Sequence, residues 1–120
     1  INAALVCAKL ENLEKYVASK RKVAAEYIEH FKNVDGIDFF VEPENTFSNY
    51  WLSAVVLKDK ESQLDFLQQT NDNGVMTRPI WELMNHLPMF ENCENDGLKN
   101  TIWFANRVVN IPSSIRLEDL

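Results

Sequence analysis

The sequence predicts an α+β fold: a long N-terminal helix packed on a small, mainly antiparallel sheet, with further helices. Three observations predict it. Apolar residues recur at helical spacing through the first 33 positions. The later apolar runs are short, rich in β-branched and aromatic residues, and bounded by Gly, Pro and Asn. The elements follow in the order helix, strand, strand, helix, strand, loop, helix, strand, which suits a sheet with its helices on one side. A chain of 120 residues, 46% of them hydrophobic, fits one domain with a single core.

The helix expected over residues 2–33 carries Leu10, Leu13, Val17, Ala24, Tyr27, Ile28 and Phe31 on its apolar face. Glu11, Glu14, Lys15, Lys20, Arg21, Lys22 and Glu26 read as its solvated face, with Glu11–Lys15 and Glu26–His30 offering i,i+4 pairs. His30 is a surface or last-turn residue. Such a helix serves as a cover for the sheet, as a dimer or interdomain strut, or as both. Asn33 to Gly36 stop it, Gly36 being suited to a left-handed turn.

Residues 37–41 predict a short strand that Pro43 ends. Residues 49–57 predict the central strand, apolar on both faces and headed by Asn49 and Tyr50. Asp59 is an N-cap, with Glu61 in the first turn of a helix that carries Leu64, Phe66 and Leu67 and stops at Asn73-Gly74. Residues 75–77 predict a short strand leading into Arg78-Pro79-Ile80-Trp81, and Pro88 ends any short helix formed over residues 81–85. A helix is expected over residues 98–106 and a last strand over residues 108–111. Asn110 reads as a turn cap. Ser113 and Ser114 line a site or cap a further helix that starts near Leu117.

Net charge is −6, from 12 basic and 18 acidic side chains, which excludes an electrostatic nucleic-acid binder. No apolar run approaches the ~20 residues of a membrane span. No signal peptide is present, so the expected location is cytoplasmic. Cys7 and Cys93 lack metal spacing and read as free thiols, buried or idle. Three isolated glycines make no phosphate loop, and no paired-histidine or paired-cysteine metal motif exists.

The densest chemistry lies in residues 77–90. Arg78, beside a rigid proline, suits bidentate recognition of phosphate or carboxylate; the bland alternative is a surface ion pair. Trp81 stacks on a flat ring or plugs the sheet edge. Asn85 and His86 donate to a ligand oxygen or cap backbone groups. No base, nucleophile or metal set completes a reactive centre.

Four stretches in order carry a resemblance. These are Ile1-Asn2-Ala3-Ala4-Leu5 with Ala8-Lys9-Leu10-Glu11; Lys20-Arg21 with Ala25 and Tyr27; Gly74 to Pro79 with Trp81 and Pro88-Met89-Phe90; and Asn106-Arg107 with Asn110 to Ser114. Together they resemble the C-terminal small domain of the DegT-type sugar aminotransferases, pyridoxal-phosphate enzymes of the aspartate-aminotransferase fold type. The resemblance implies a parent enzyme that moves an amino group from glutamate to a nucleotide-linked keto sugar. UDP is the implied nucleotide, and the setting is surface-polysaccharide (lipopolysaccharide) or amino-sugar biosynthesis.

It also implies a cytoplasmic homodimer with sites between subunits. Pyridoxal phosphate is held by a large-domain lysine, so none is bound covalently here; none of Lys9, Lys15, Lys20, Lys22, Lys32, Lys58, Lys60 and Lys99 sits in the family's lysine motif. Residues 1–120 are then one domain, a C-terminal fragment of a longer chain, as the start at Ile1 inside a helix suggests. The implied substrate-binding set is Arg78, Trp81, Asn85, His86, Asn49 and Tyr50, with no metal. Many family members place a histidine four residues after the loop aromatic, where this chain has Asn85, so His86 is one position off. The alternative, from another class, is a stand-alone α+β domain that senses a small molecule or a partner.

Overall fold

A computed structural model describes residues 1–116; the helix expected near Leu117 lies outside them. The elements are α1 (Asn2–Leu10), α2 (Leu13–Phe31), β1 (Ile37–Phe39), β2 (Ser53–Leu57), α3 (Lys60–Asp72), β3 (Arg78–Pro79), a 3-10 turn (Met84–His86), α4 (Lys99–Ala105) and β4 (Val108–Ile111). The single helix expected over residues 2–33 is therefore two. At the break, the Asn12 side-chain amide donates to the Ala8 carbonyl at 3.2 Å and its N–H to Lys9, three residues back. Asparagine competes for backbone groups in this way and does not continue a helix well. No residue of α1 is buried.

The strands lie in the order β1-β2-β4-β3, every pairing antiparallel. Register places Ser53 opposite Ile111 and Val55 opposite Val109, so Ser53, Val55, Leu57, Val109 and Ile111 share one face. Val55 and Val109 are fully buried there. Tyr27 and Phe31 from α2, and Phe66 and Leu67 from α3, close over them. Each buried aliphatic side chain contributes ~1.5–3 kcal/mol as an upper bound. Not every helix lies on that side. Phe40 follows β1 and donates its N–H to Ala54 on the opposite face, where Phe104 of α4 meets it edge-on at 6.2 Å.

The radius of gyration is 17.1 Å, against about 14 Å for a compact domain of this length. Ile1, Leu5, Val6 and Leu10 of the α1 arm are all exposed.

The i,i+4 pairs expected on the first helix do not form among the described residues; Glu26 pairs instead with Arg116, Nη1 donating to Oε1 at 3.0 Å. The helix α3 begins as expected: the Asp59 carboxylate accepts from the Ser62 N–H at 2.9 Å. Its buried stripe differs. Leu64 is 54% exposed, whereas Gln63 is completely buried. Gln63 donates its two amide hydrogens to the carbonyls of Ala105 (3.0 Å) and Val108 (2.8 Å), and its oxygen accepts from Lys60. It thus gives donors to two carbonyls at the α4–β4 connection.

Replacing Gln63 with Leu should cost about 2–4 kcal/mol, because two buried carbonyls lose their partners while volume changes little. Gln63→Glu should cost at least as much, since a carboxylate sets acceptor against acceptor. Urea unfolding of the three proteins checks this, and equal midpoints would show the amide to be dispensable.

Candidate functional site

Antiparallel order brings the C-terminal ends of β1 and β4 and the N-terminal ends of β2 and β3 to one end of the sheet. Arg78 stands there, paired with Asn110, which in turn pairs with Ala54. Two strand spacings, roughly 10 Å, separate the Arg78 and Ala54 backbones. The stretch bearing Asn49 and Tyr50 enters β2 at this same end.

The strand at Arg78 begins later than the expected residues 75–77. Gly74, at φ +78°, turns the chain out of α3, and the Val75 N–H still caps that helix through the Thr70 carbonyl at 2.8 Å. Thr77 is buried and held by side chains of α3, so pairing with β4 starts only at Arg78. Pro79 lacks a donor and fits an outer strand. The Arg78 guanidinium is exposed; Nη2 lies 3.4 Å from the Met76 sulfur, and among the described residues it pairs with no carboxylate. Among the described residues, the surface ion pair that the sequence left open does not form.

Beyond Pro79 the chain leaves this end. Trp81 is 70% exposed and is not a plug over the sheet edge. With His86, Lys60, Ile102 and Asn106 it lines a cavity of about 370 Å³ towards the far end of the sheet. His86 Nδ1 bonds the Glu82 carboxylate at 2.6 Å, which holds that carboxyl below its ordinary range. Asn85 faces away, into a cleft of about 400 Å³ with Phe90, Cys93 and Leu98. The six candidate residues therefore do not converge on one wall.

Residues 49–52 are a turn, not the start of the central strand. The Ser48 hydroxyl accepts from the Tyr50 N–H, and the Asn49 amide oxygen from the Trp51 N–H, both at 3.0 Å. Tyr50 is buried at φ +44°, strained for a bulky residue, and its hydroxyl accepts from the Glu42 N–H at 3.2 Å. The Tyr50 side chain is thus committed inside the protein, whereas Asn49 is exposed and uses only its amide oxygen. Asn110 caps no turn but sits within β4, and the Ser113 hydroxyl donates to the Trp51 carbonyl at 3.0 Å.

Two residues of α2 assigned to a solvated face organise this end instead. Arg21 donates twice to Glu42 (2.7 and 2.9 Å) and to the Ser48 carbonyl (2.6 Å), with its guanidinium 4.1 Å above the Phe47 ring. Lys20 Nζ donates to the Ser113 carbonyl at 2.5 Å and the Trp51 carbonyl at 3.3 Å. Tyr27 adds a bond to the Pro112 carbonyl at 3.0 Å. The one signal in the sequence was the recurrence of Lys20-Arg21 and Tyr27 in the resemblance. Cys7 and Cys93 are free thiols, exposed rather than buried.

A pyridoxal-type cofactor needs a lysine whose amine is free to form an imine. Burial lowers the pKa of Lys20, the useful direction, but its ammonium is spent on two main-chain carbonyls. The Lys60 ammonium is bonded to the Gln63 oxygen. These residues do not fit as covalent holders of such a cofactor. Among the described residues no group of three His, Cys, Asp or Glu side chains is arranged for a metal, and no helix is long and apolar enough to cross a membrane.

Comparison with known proteins adds the context. The model of the DegT/DnrJ/EryC1/StrS aminotransferase family matches residues 1–119. GDP-perosamine synthase of Vibrio cholerae is 26% identical over 117 residues, which cover 92% of this chain and 31% of that protein. The solved structure of S. venezuelae DesV, in complex with a ketimine intermediate, superposes with a TM-score of 0.84 at 20% identity, over 98% of this chain and 32% of that one. Helicobacter pylori PseC, an aminotransferase involved in the biosynthesis of pseudoaminic acid, gives a TM-score of 0.84 at 14% identity, over 97% and 33%. These two likenesses show the fold, that of the small domain in such enzymes. The chain spans about a third of the length of the proteins it matches.

The Arg21–Glu42 clamp sets a pH dependence. Hydrogen bonds from Arg21, then from the Ser48 N–H, lower the Glu42 pKa from 4.5 to about 2. A carboxyl with a depressed folded-state pKa contributes stability that is complete above its unfolded value and lost as pH falls through its folded value. The melting temperature of the wild-type chain should therefore exceed that of Glu42→Gln above pH 4.5, and the gap should close between pH 4.5 and 2. A gap independent of pH would show that shape, not charge, maintains the clamp.

Proposed function

Because this chain belongs to the DegT/DnrJ/EryC1/StrS aminotransferase family, we propose that it is the substrate-side, C-terminal domain of a longer, pyridoxal-phosphate-dependent sugar aminotransferase. In this reading the parent is a cytoplasmic homodimer. It moves an amino group from glutamate to a nucleotide-linked keto sugar for surface-polysaccharide or amino-sugar biosynthesis. The electron sink of amino transfer is the cofactor's, held by polypeptide outside this domain. The role left to these residues is to bind and orient the sugar nucleotide.

The observation that carries the reading is the Arg78 guanidinium. It is exposed on a strand whose neighbours are fixed, it has no carboxylate partner among the described residues, and it stands at the end of the sheet where three other strand ends meet. A planar fork of donors in that state suits the diphosphate of a nucleotide sugar. Trp81, exposed on the Pro79 side of the same loop, supports a stacking role, with His86 beside it in the cavity. Asn85 belongs to the neighbouring cleft. Tyr50, its hydroxyl bonded to the Glu42 N–H, acts by shaping the turn, whereas Asn49 is exposed and its amide hydrogens, unpartnered among the described residues, are open to a ligand.

UDP is the nucleotide read from the sequence. GDP is the second reading, favoured by the GDP-perosamine synthase relative. Family membership weighs against a stand-alone sensing domain.

In the full-length enzyme, Arg78→Ala should raise the KM for the nucleotide sugar by about 10–100-fold and leave the KM for glutamate near its wild-type value, as the loss of a charge-assisted contact made in ground and transition state alike. Steady-state kinetics with UDP- and GDP-linked keto sugars measures this and separates the two nucleotides. An equal rise for both substrates would make Arg78 structural and sink the assignment.

A further inference from the structure

The strand that bears Arg78 cannot set its own position. It has two residues, one of them a proline without an N–H, and it pairs with β4 only through Arg78–Asn110 and Pro79–Val109. So short an outer strand is marginal by itself. Something else must fix where the guanidinium stem leaves the sheet.

The residue before it supplies the attachment. Thr77 is buried, its hydroxyl 2.6 Å from the Thr70 hydroxyl and 2.9 Å from the Asn71 side-chain nitrogen. Proton counting gives these bonds a direction. Thr70 Oγ1 has one hydrogen and donates it to the Phe66 carbonyl at 2.7 Å, with Leu67 further away at 3.2 Å. Thr77 must then donate to Thr70, and it accepts from Asn71. The chain runs one way: Asn71 amide to Thr77 hydroxyl to Thr70 hydroxyl to Phe66 carbonyl. Asn71 Nδ2 also lies 3.1 Å from the Thr77 carbonyl, on the peptide that leads into Arg78, and its two hydrogens are shared among that carbonyl, the Thr77 hydroxyl and the Leu67 carbonyl at 2.7 Å. The last turn of α3 thus grips Thr77 by both its side chain and its main chain.

We propose that Thr77 is a positioning residue for substrate binding. Gripped by Thr70 and Asn71, it fixes the departure of Arg78 from the sheet and hence the place of its guanidinium at the nucleotide-sugar diphosphate. The proposal rests on the reading of Arg78 given above. It assigns no contact between Thr77 and substrate.

The test is a double-mutant cycle in the full-length holoenzyme. Thr77→Val should raise the KM for the nucleotide sugar by about tenfold, with the KM for glutamate unchanged. Thr77→Ser keeps the hydroxyl and should restore the wild-type value. Asn71→Ala, at an exposed position, should reproduce part of the effect and serves where Thr77→Val does not fold. In an Arg78→Ala background, neither Thr77→Val nor Asn71→Ala should raise that KM further, because the group they position is gone. If Arg78→Ala itself leaves the KM unchanged, the diphosphate reading fails, and this proposal with it. If Arg78→Ala acts but the second substitution multiplies its effect, or if Thr77→Ser fails to rescue, Thr77 is merely structural and the proposal alone is overturned.

Discussion

The segments that lead out of β1 and β4 and into β2 depend on two adjacent cations of α2. The Lys20 ammonium joins the turn before β2 to the segment after β4, and the Arg21 guanidinium joins the segment after β1 to the same turn. Strand ends in a four-stranded sheet have no ladder beyond their last pair, so their carbonyls need other donors. One helical turn provides several, all charge-assisted. The sheet face is held by Val55 and Val109 packing against α2 and α3, but packing is non-directional. The hydrogen bonds from Lys20 and Arg21 decide where the segments beyond the strands go.

The same division runs through the rest of the molecule. Apolar contacts place the layers, and single polar side chains make the connections between them. Gln63 ties α3 to the junction of α4 and β4, and Thr70 with Asn71 ties the other end of α3 to the chain before β3. Helix α3 is consequently fixed at both ends by hydrogen bonds to the two strands that it links through space. A buried glutamine with all its groups satisfied adds uniqueness where an apolar residue would add only area.

That division explains what the sequence disclosed and what it hid. The capped start of α3 at Asp59, its stop at Asn73-Gly74, and β4 over residues 108–111 follow from local chemistry and were legible. The place of β3 was not, because it depends on where Thr77 is caught by a helix already folded. Residues 49–52 have strand composition, yet Ser48 and Asn49 bond neighbouring N–H groups and bend the chain. Lys20 and Arg21 have the pattern of a solvated face, and only the partners that the fold brings to them leave them half-buried. Of the candidate site, the chemistry of Arg78 was legible. The parting of Trp81 and His86 from Asn85 into two clefts was not, since it follows from how the loop passes α4.

The outer position of β3 has a further consequence, for how the protein behaves in a crowded solution. A sheet edge invites a second sheet to continue its ladder. Here the outermost strand has two residues, and only Arg78 among them carries an amide hydrogen. A permanent charge on that residue opposes stacking of like molecules. The edge at the other side, β1, is three residues long with exposed Asp38 at its centre. Neither border is a long, flat template for fibril growth, so Arg78 and Pro79 also serve as gatekeepers against aggregation.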